Sequence, residues 1–227
     1  MSEEFPKEVL FIKDYLQEVF ILSDEIINLV EEIDNIVSEK RLGMEDVFNF
    51  PDNDNFFYIE PRIFTKITSA IVHGANLKKI LFATPKTKKE AQQKYDYRVL
   101  REYQLKKHFN SDDLSEVKKT MTRNSLEHYD ERLDNISLKF WQGKISGKYD
   151  VVVNNIVLSS EGALIGNPFY LKCYIIDSQI YKNHETECDL KKLYSEVKLL
   201  KSQAKIALVG IGANPYSGTI IPIPPRN

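Results

Sequence analysis

The chain has 227 residues, of which 42% are hydrophobic and 28% charged, and its formal net charge is −2. This composition is typical of a globular protein with one large domain, or one domain with an appendage. The longest apolar runs, such as residues 204–213, are too short to cross a bilayer. The acidic start lacks the basic region of a secretory signal, and two cysteines imply no disulfide framework, so we expect a cytoplasmic protein.

Charge is unevenly distributed along the chain. Residues 1–60 carry sixteen acidic and four basic side chains, whereas residues 77–107 carry ten basic and three acidic ones. A basic stretch with interleaved tyrosines is typical of a phosphate-binding surface. The alternative is a solvated helix face that docks against the acidic first helix. The first interpretation predicts RNA contacts at Lys88, Lys89, Lys94, Arg98 and Arg101.

Apolar spacing predicts four long helices in the first part of the chain. Apolar residues recur at helical intervals over residues 7–40, which indicates a long amphipathic helix. A second helix is expected from Pro61 to about Phe82, and a third over residues 88–109. Residues 110–112 (Asn, Ser, Asp) are good caps for a fourth helix that runs to about residue 141.

The pattern changes after Gly143. Residues 150–160 and 169–182 show period-two, β-branched runs, and Asp177 with Ser178 marks the turn of a hairpin. Residues 189–204 return to a helical pattern, with an aspartate as N-cap, and a Gly- and Pro-rich tail follows. We therefore expect a mainly α protein.

The expected organisation has two parts. Residues 1–142 form a helical bundle of four helices, and residues 143–227 form a small β-hairpin plus helix appendage with a Pro- and Gly-rich tail.

A charged segment of the predicted fourth helix carries the sharpest functional candidates. At about 100° per residue, Arg123, Asn124, Glu127 and His128 fall on one arc, separate from the apolar stripe. Arginine offers a planar fork for phosphate and can stabilise the charge of a pentavalent transition state. Histidine can take a proton from a ribose 2′-hydroxyl or return one to the leaving oxygen. This cleavage needs no metal ion or other cofactor.

The sequence of this segment resembles the Arg–His motif of the HEPN superfamily. Four residues separate Arg123 from His128, and a polar residue, Asn124, follows the arginine. The resemblance implies a HEPN-like bundle over about residues 1–142 and, as in many members, a metal-independent endoribonuclease. It also implies a toxin–antitoxin or phage-defence setting, with RNA and an antitoxin or other protein as partners. The catalytic pair would be Arg123 and His128, with Asn124 and Glu127 in support.

Two features limit what the resemblance carries over. Arg101 and His108 form a second, poorer match to the Arg–His spacing. Tyr129 directly follows His128, so the chain departs from the His-x-Tyr pattern of the toxin branch that is paired with nucleotidyltransferase antitoxins. Two other functions therefore stay open: a non-catalytic module that binds nucleic acid, a nucleotide or a protein, and a structural bundle whose charged arc is solvated.

The spacing of the catalytic candidates also predicts an assembly. On a helix, Arg123 and His128 would be about 7.5 Å apart along the axis and about 140° apart around it. One helix presents them divergently, whereas two-fold pairing brings the arginine of one chain toward the histidine of the other. We expect a homodimer through the fourth helix. The run from His184 to Cys188 resembles a zinc signature but lies between a strand and a helix, so we predict no metal site there.

Overall fold

The computed structural model describes residues 12–45, 56–110, 113–119, 126, 129–144 and 147–217. These residues form six α-helices, one short 3-10 turn and one five-stranded sheet. The helices are α1 (Ile12–Glu45), α2 (Pro61–Leu81), α3 (Gln92–Leu105), α4 (Ser115–Lys118), α5 (Tyr129–Trp141) and α6 (Leu190–Gly210). The strands are β1 (Phe57–Tyr58), β2 (Val151–Leu158), β3 (Pro168–Ile175), β4 (Ile180–Asn183) and β5 (Thr186–Asp189).

The sheet is mixed, and its strands lie side by side in chain order. Strand β2 runs parallel to β3, and the other neighbouring pairs are antiparallel. Parallel neighbours usually need a crossover of a dozen residues or more, yet residues 159–167 alone connect β2 to β3. The 3-10 turn Glu161–Ala163 lies in this connection, and Ala163 packs against the buried side chains of Val153, Leu158, Cys173 and Ile175.

The main core joins helices to one face of the sheet. Side chains from α1, α2 and α6 pack together with Tyr174, Tyr181 and Cys188, which are register neighbours on β3, β4 and β5. Leu16, Ile26, Ile63 and Leu200 are among its fully buried members. Because an apolar helix stripe and an apolar sheet face both need cover, each buries the other.

This arrangement corrects the expected fold class. A mainly α, HEPN-like four-helix bundle with a small hairpin appendage is wrong, because the described residues contain a five-stranded mixed sheet that shares the main core. Strand β1 comes from the first part of the chain and pairs with β2. The boundary near residue 143 stays a prediction.

The predicted fourth helix is also wrong as a continuous element. Helix α4 ends at Lys118, and Lys119 has an extended conformation with φ −63° and ψ 128°. Helical structure is found again at Leu126 and over α5. The expected helix from residue 110 to residue 141 is therefore interrupted at Lys119, and the charged arc of Arg123, Asn124, Glu127 and His128 lies outside the described residues.

Other predictions are confirmed. Helix α2 begins at Pro61, and Asp189 caps α6 by accepting a hydrogen bond from the Lys192 backbone N–H at 2.8 Å. Strands β3 and β4 form the expected hairpin. Within the described ranges, no helix is both long and apolar enough to cross a membrane.

The acidic first helix is matched mainly by α2 and α6. Glu32 pairs with Lys66 of α2, and Asp24 pairs with Lys201 of α6 at 2.5 Å. Between α1 and α3 the contact is a cation–π interaction. The Arg101 guanidinium of α3 lies 5.2 Å from the centre of the Tyr15 ring of α1.

Candidate functional site

The predicted catalytic residues lie outside the described part of the chain. This holds for Arg123 and His128 and for the supporting Asn124 and Glu127. The one described residue inside the motif, Leu126, is helical and half-buried, and it packs against the main core. The roles of the motif residues therefore stay predictions, to be judged from the surfaces on either side of them.

On the N-terminal side of the motif, α4 is fixed to α6 by one carboxylate. Glu196 is buried and accepts hydrogen bonds from the backbone N–H groups of Glu116 (2.9 and 3.0 Å) and Val117 (2.9 Å). It also accepts from the Ser115 hydroxyl at 3.2 Å. The two backbone donors are unpaired N–H groups of a helix start, so Glu196 anchors α4 from a distant helix.

On the C-terminal side of the motif, α5 borders a cleft of about 380 Å³ against the sheet. Ile136 of α5 packs on Phe169 and Leu171 of β3, and this contact holds the helix beside the strand. The cleft is lined from α5, from the segment after it and from the turn between β4 and β5. The lining residues are Arg132, Asn135, Ile136, Lys139, Lys144, Lys148, Tyr149, Phe169, His184 and Glu185.

The charge of this cleft is strongly positive. Four of its lining residues are arginine or lysine and one is a carboxylate. Among the described residues, Arg132, Lys139 and Lys144 form no ion pair, in contrast to Lys66 and Lys201. The Lys148 ammonium lies 5.2 Å from the centre of the neighbouring Tyr149 ring. Such unmatched cations, held on one concave surface, suit an anionic ligand.

The start of α5 rests on a second group of polar residues. The Lys172 ammonium lies 3.8 Å from the centre of the Tyr129 ring, and the Tyr129 hydroxyl donates to Asn154 Oδ1 at 3.2 Å. Burial raises the pKa of Tyr129 and lowers that of Lys172. In both residues burial disfavours the charged form, which is the cause of each shift.

His184 connects the start of α5 to the cleft. Its ring lies 5.9 Å from the Tyr129 ring and 6.2 Å from the Phe169 ring, and its Nε2 is buried without a hydrogen-bond partner. Burial lowers the pKa of His184, the positive charge of Arg132 adds to this effect, and that of Lys172 adds less. His184 therefore favours the neutral form and leaves the charge of the cleft to arginine and lysine.

An adjoining cleft of about 450 Å³ is lined mainly by residues of β3, β4 and β5. The two clefts share Tyr149, Phe169, His184 and Glu185. The Tyr149 and Phe169 ring centres lie 4.9 Å apart in an edge-to-face arrangement. The second cleft adds Pro168, Tyr170, Lys182, Thr186 and Glu187.

Four of the five residues predicted to bind RNA lie around a separate groove formed by α3 and the segment before it. Lys89, Lys94, Arg98 and Arg101 line it together with Lys79, whereas Lys88 does not. Arg98 is held by Glu90 (2.5 and 3.1 Å) and by the Thr84 carbonyl (3.0 Å). Arg101 donates to the Lys79 carbonyl at 2.6 Å. The two arginines therefore hold the segment between α2 and α3, and the lysines remain for a ligand.

Partial signals for the cleft are present in the sequence. Arg132 and Lys139 are seven residues apart and so share one face of a helix, and Lys144 and Lys148 follow closely. His184 and Phe169 could not be connected to these residues from spacing, since only the folded sheet brings them to α5. The sequence singles out His184 only as the start of a zinc-like run, which does not connect it to an anion-binding cleft.

No group of three or more histidine, cysteine, aspartate or glutamate side chains in the described ranges could hold a metal ion. Burial raises the pKa of the Cys173 thiol to about 12, so it is a poor nucleophile. The cationic cleft beside α5 is suited to binding a polyanion.

No protein-family model, curated protein or solved structure matches the chain.

Proposed function

We propose that this chain is an RNA-binding, metal-independent endoribonuclease in which Arg123 and His128 form the catalytic pair. Arg123 binds the scissile phosphate and stabilises its negative charge. His128 removes the proton of the ribose 2′-hydroxyl or protonates the leaving 5′-oxygen. Attack by the 2′-oxygen then breaks the bond from phosphorus to the 5′-oxygen and leaves a 2′,3′-cyclic phosphate.

One observation carries this proposal: α5, whose first residue directly follows His128 in the chain, borders a cleft with four cationic side chains. An RNA backbone in that cleft would be held next to the helix that continues the motif. The cations supply affinity through phosphate contacts, which need no base recognition. The motif and the cleft support this proposal. The four-helix bundle expected from the sequence does not, because the observed fold contradicts it.

The proposal includes a homodimer in which the two chains share catalytic residues. Leu138 and Trp141 lie three positions apart on α5 and are 51% and 84% exposed. Residues at this spacing are neighbours on a helix surface, so together they form an apolar patch. A two-fold interface would bury this patch twice and bring the two α5 helices together.

RNA cleavage in the presence of a chelator tests the function. Purified protein with EDTA should cut single-stranded RNA and leave 2′,3′-cyclic phosphate ends. The variants Arg123→Ala and His128→Ala should each lose cleavage while they keep the circular dichroism spectrum of the wild type. Full cleavage by both variants would exclude the assignment, as would products with 3′-hydroxyl ends.

A second candidate function is RNA binding without cleavage. The unmatched cations of the cleft favour it, since they explain affinity for RNA whether or not the motif is catalytic. In that case the protein would retain RNA with a steep dependence on salt and leave it intact. Quantitative recovery of uncut RNA after long incubation with the wild type would favour this function over the first.

A further inference from the structure

We propose that the wall between the two clefts is a nucleobase subsite, which makes single-stranded RNA the preferred ligand. This inference rests on the proposed binding of RNA, although it does not need cleavage. The wall consists of Tyr149, Phe169 and His184, with Glu185 at the same boundary. A phosphate would lie on the α5 side of the wall, and the base would lie against the rings.

The charges on the two sides of the wall differ in a way that orients a nucleotide. The α5 side has four cations and one carboxylate among its lining residues. The sheet side shares Glu185 and adds a second carboxylate, Glu187, and its one cation, Lys182, is paired with Glu161 at 2.6 Å. A phosphate is attracted to the first side and repelled from the second, whereas an uncharged base fits either.

The aromatic residues provide the apolar contact that a base requires. Tyr149 is half-buried, and its ring meets Phe169 edge to face at 4.9 Å between centres. Phe169 in turn meets the His184 ring at 6.2 Å, so the three rings form a continuous row. Base stacking on aromatic side chains is favourable for every base, and it gives affinity without strict sequence preference.

Lys148 places a cation directly beside this row. Its ammonium lies 5.2 Å from the centre of the Tyr149 ring, within the cation-lined cleft. At this spacing the Tyr149 ring could stack on the base of a nucleotide while the Lys148 ammonium binds the phosphate of the same nucleotide. A duplex keeps its bases stacked and paired, so it can use the cations but not the rings.

Anisotropy titrations in EDTA with the His128→Ala background test the subsite without cleavage. The probes are a labelled single-stranded RNA, the same strand annealed to its complement, and heparin, which carries charge but no bases. Tyr149→Leu removes the ring and keeps apolar bulk, whereas Tyr149→Phe keeps the ring. Tyr149→Leu should weaken binding of single-stranded RNA about tenfold and leave heparin binding unchanged. Tyr149→Phe should bind both ligands as its parent does.

Three results would overturn the subsite. They are equal affinity for the single strand and the duplex, unchanged single-strand binding by Tyr149→Leu, and an equal loss of RNA and heparin binding by that variant. Retained heparin binding shows that the protein is folded and its cationic cleft intact. If the wild type fails to cut RNA but these titrations succeed, the endoribonuclease proposal fails and the subsite stands.

Discussion

The aromatic ring of Tyr129 lies 5.9 Å from the imidazole ring of His184, measured between their centres. This contact joins the first residue of α5 to the turn between β4 and β5. Tyr129 directly follows His128 in the chain, and His184 lines the cationic cleft. The helix that continues the motif is thus fixed to the wall of the candidate RNA site.

His184 should make the stability of the protein depend on pH. Burial lowers its pKa in the folded state, whereas the unfolded chain has the ordinary value of about 6.5. The unfolded state therefore binds more protons as pH falls below about 6.5, and acid favours unfolding. His184→Asn removes the titration and suits the left-handed backbone at φ 55°.

The measurement for His184 is the thermal midpoint at about pH 7.5 and about pH 5.5. We expect the midpoint of the wild type to fall more than that of His184→Asn over this interval. A parallel fall of both proteins would show that the imidazole does not contribute.

Loss of the α6 cap should destabilise the main core. Asp189→Ala removes the acceptor of the Lys192 backbone N–H and should cost about 1 kcal/mol. For a chain of this size, that corresponds to a fall in thermal midpoint of about 2–4 °C. Asp189→Asn keeps an acceptor and is the matched control. An equal fall in both variants would mean that charge, and not the cap, stabilises the helix start.

The α6 cap and strand β1 show which parts of the fold the sequence could reveal and which it could not. Asp189 was recognisable as a cap because capping is local, and the α2 and hairpin patterns were local as well. The two-residue strand β1 was not recognisable, since it depends on pairing with β2 about a hundred residues later. Because this pairing is non-local, the shared core of helices and sheet was missed.

The candidate site shows the same division. The Arg–His motif is a local pattern and could be read directly, whereas the cleft requires α5 to pack on β3 through Ile136 and Phe169. The basic residues of α3 were visible in the sequence, but Arg98 and Arg101 hold their own chain. Charge along a sequence does not reveal which cations are already paired.

Neutralising the cleft should reduce the salt dependence of RNA binding. In the double variant Lys139→Gln/Lys144→Gln, each lost phosphate contact should lower the slope of log affinity against log salt by about 0.7. Lys205→Gln, an exposed lysine on α6, is the matched control and should leave the slope unchanged. Anisotropy at a series of salt concentrations measures both. An unchanged slope in the double variant would place RNA elsewhere, with the α3 groove as the next surface to neutralise.

The apolar patch on α5 should control the oligomeric state. The double variant Leu138→Asp/Trp141→Asp places two charges on the exposed patch, so we expect a monomer where the wild type is a dimer. Ile165→Asp is the control, because Ile165 is 99% exposed in the connection between β2 and β3. Sedimentation at micromolar concentration distinguishes these outcomes. A monomeric wild type, or a double variant that stays dimeric, would exclude α5 as the interface.

Mixing the two catalytic variants tests most directly whether Arg123 and His128 of two chains cut RNA together. Arg123→Ala and His128→Ala should each be inactive in EDTA, and mixed dimers keep one intact pair. After exchange of subunits, the mixture should recover about a quarter of the wild-type rate, since half of the dimers are mixed and each has one working site of two. Activity of either variant alone, or a mixture that stays inactive although mixed dimers form, would contradict the shared catalytic site.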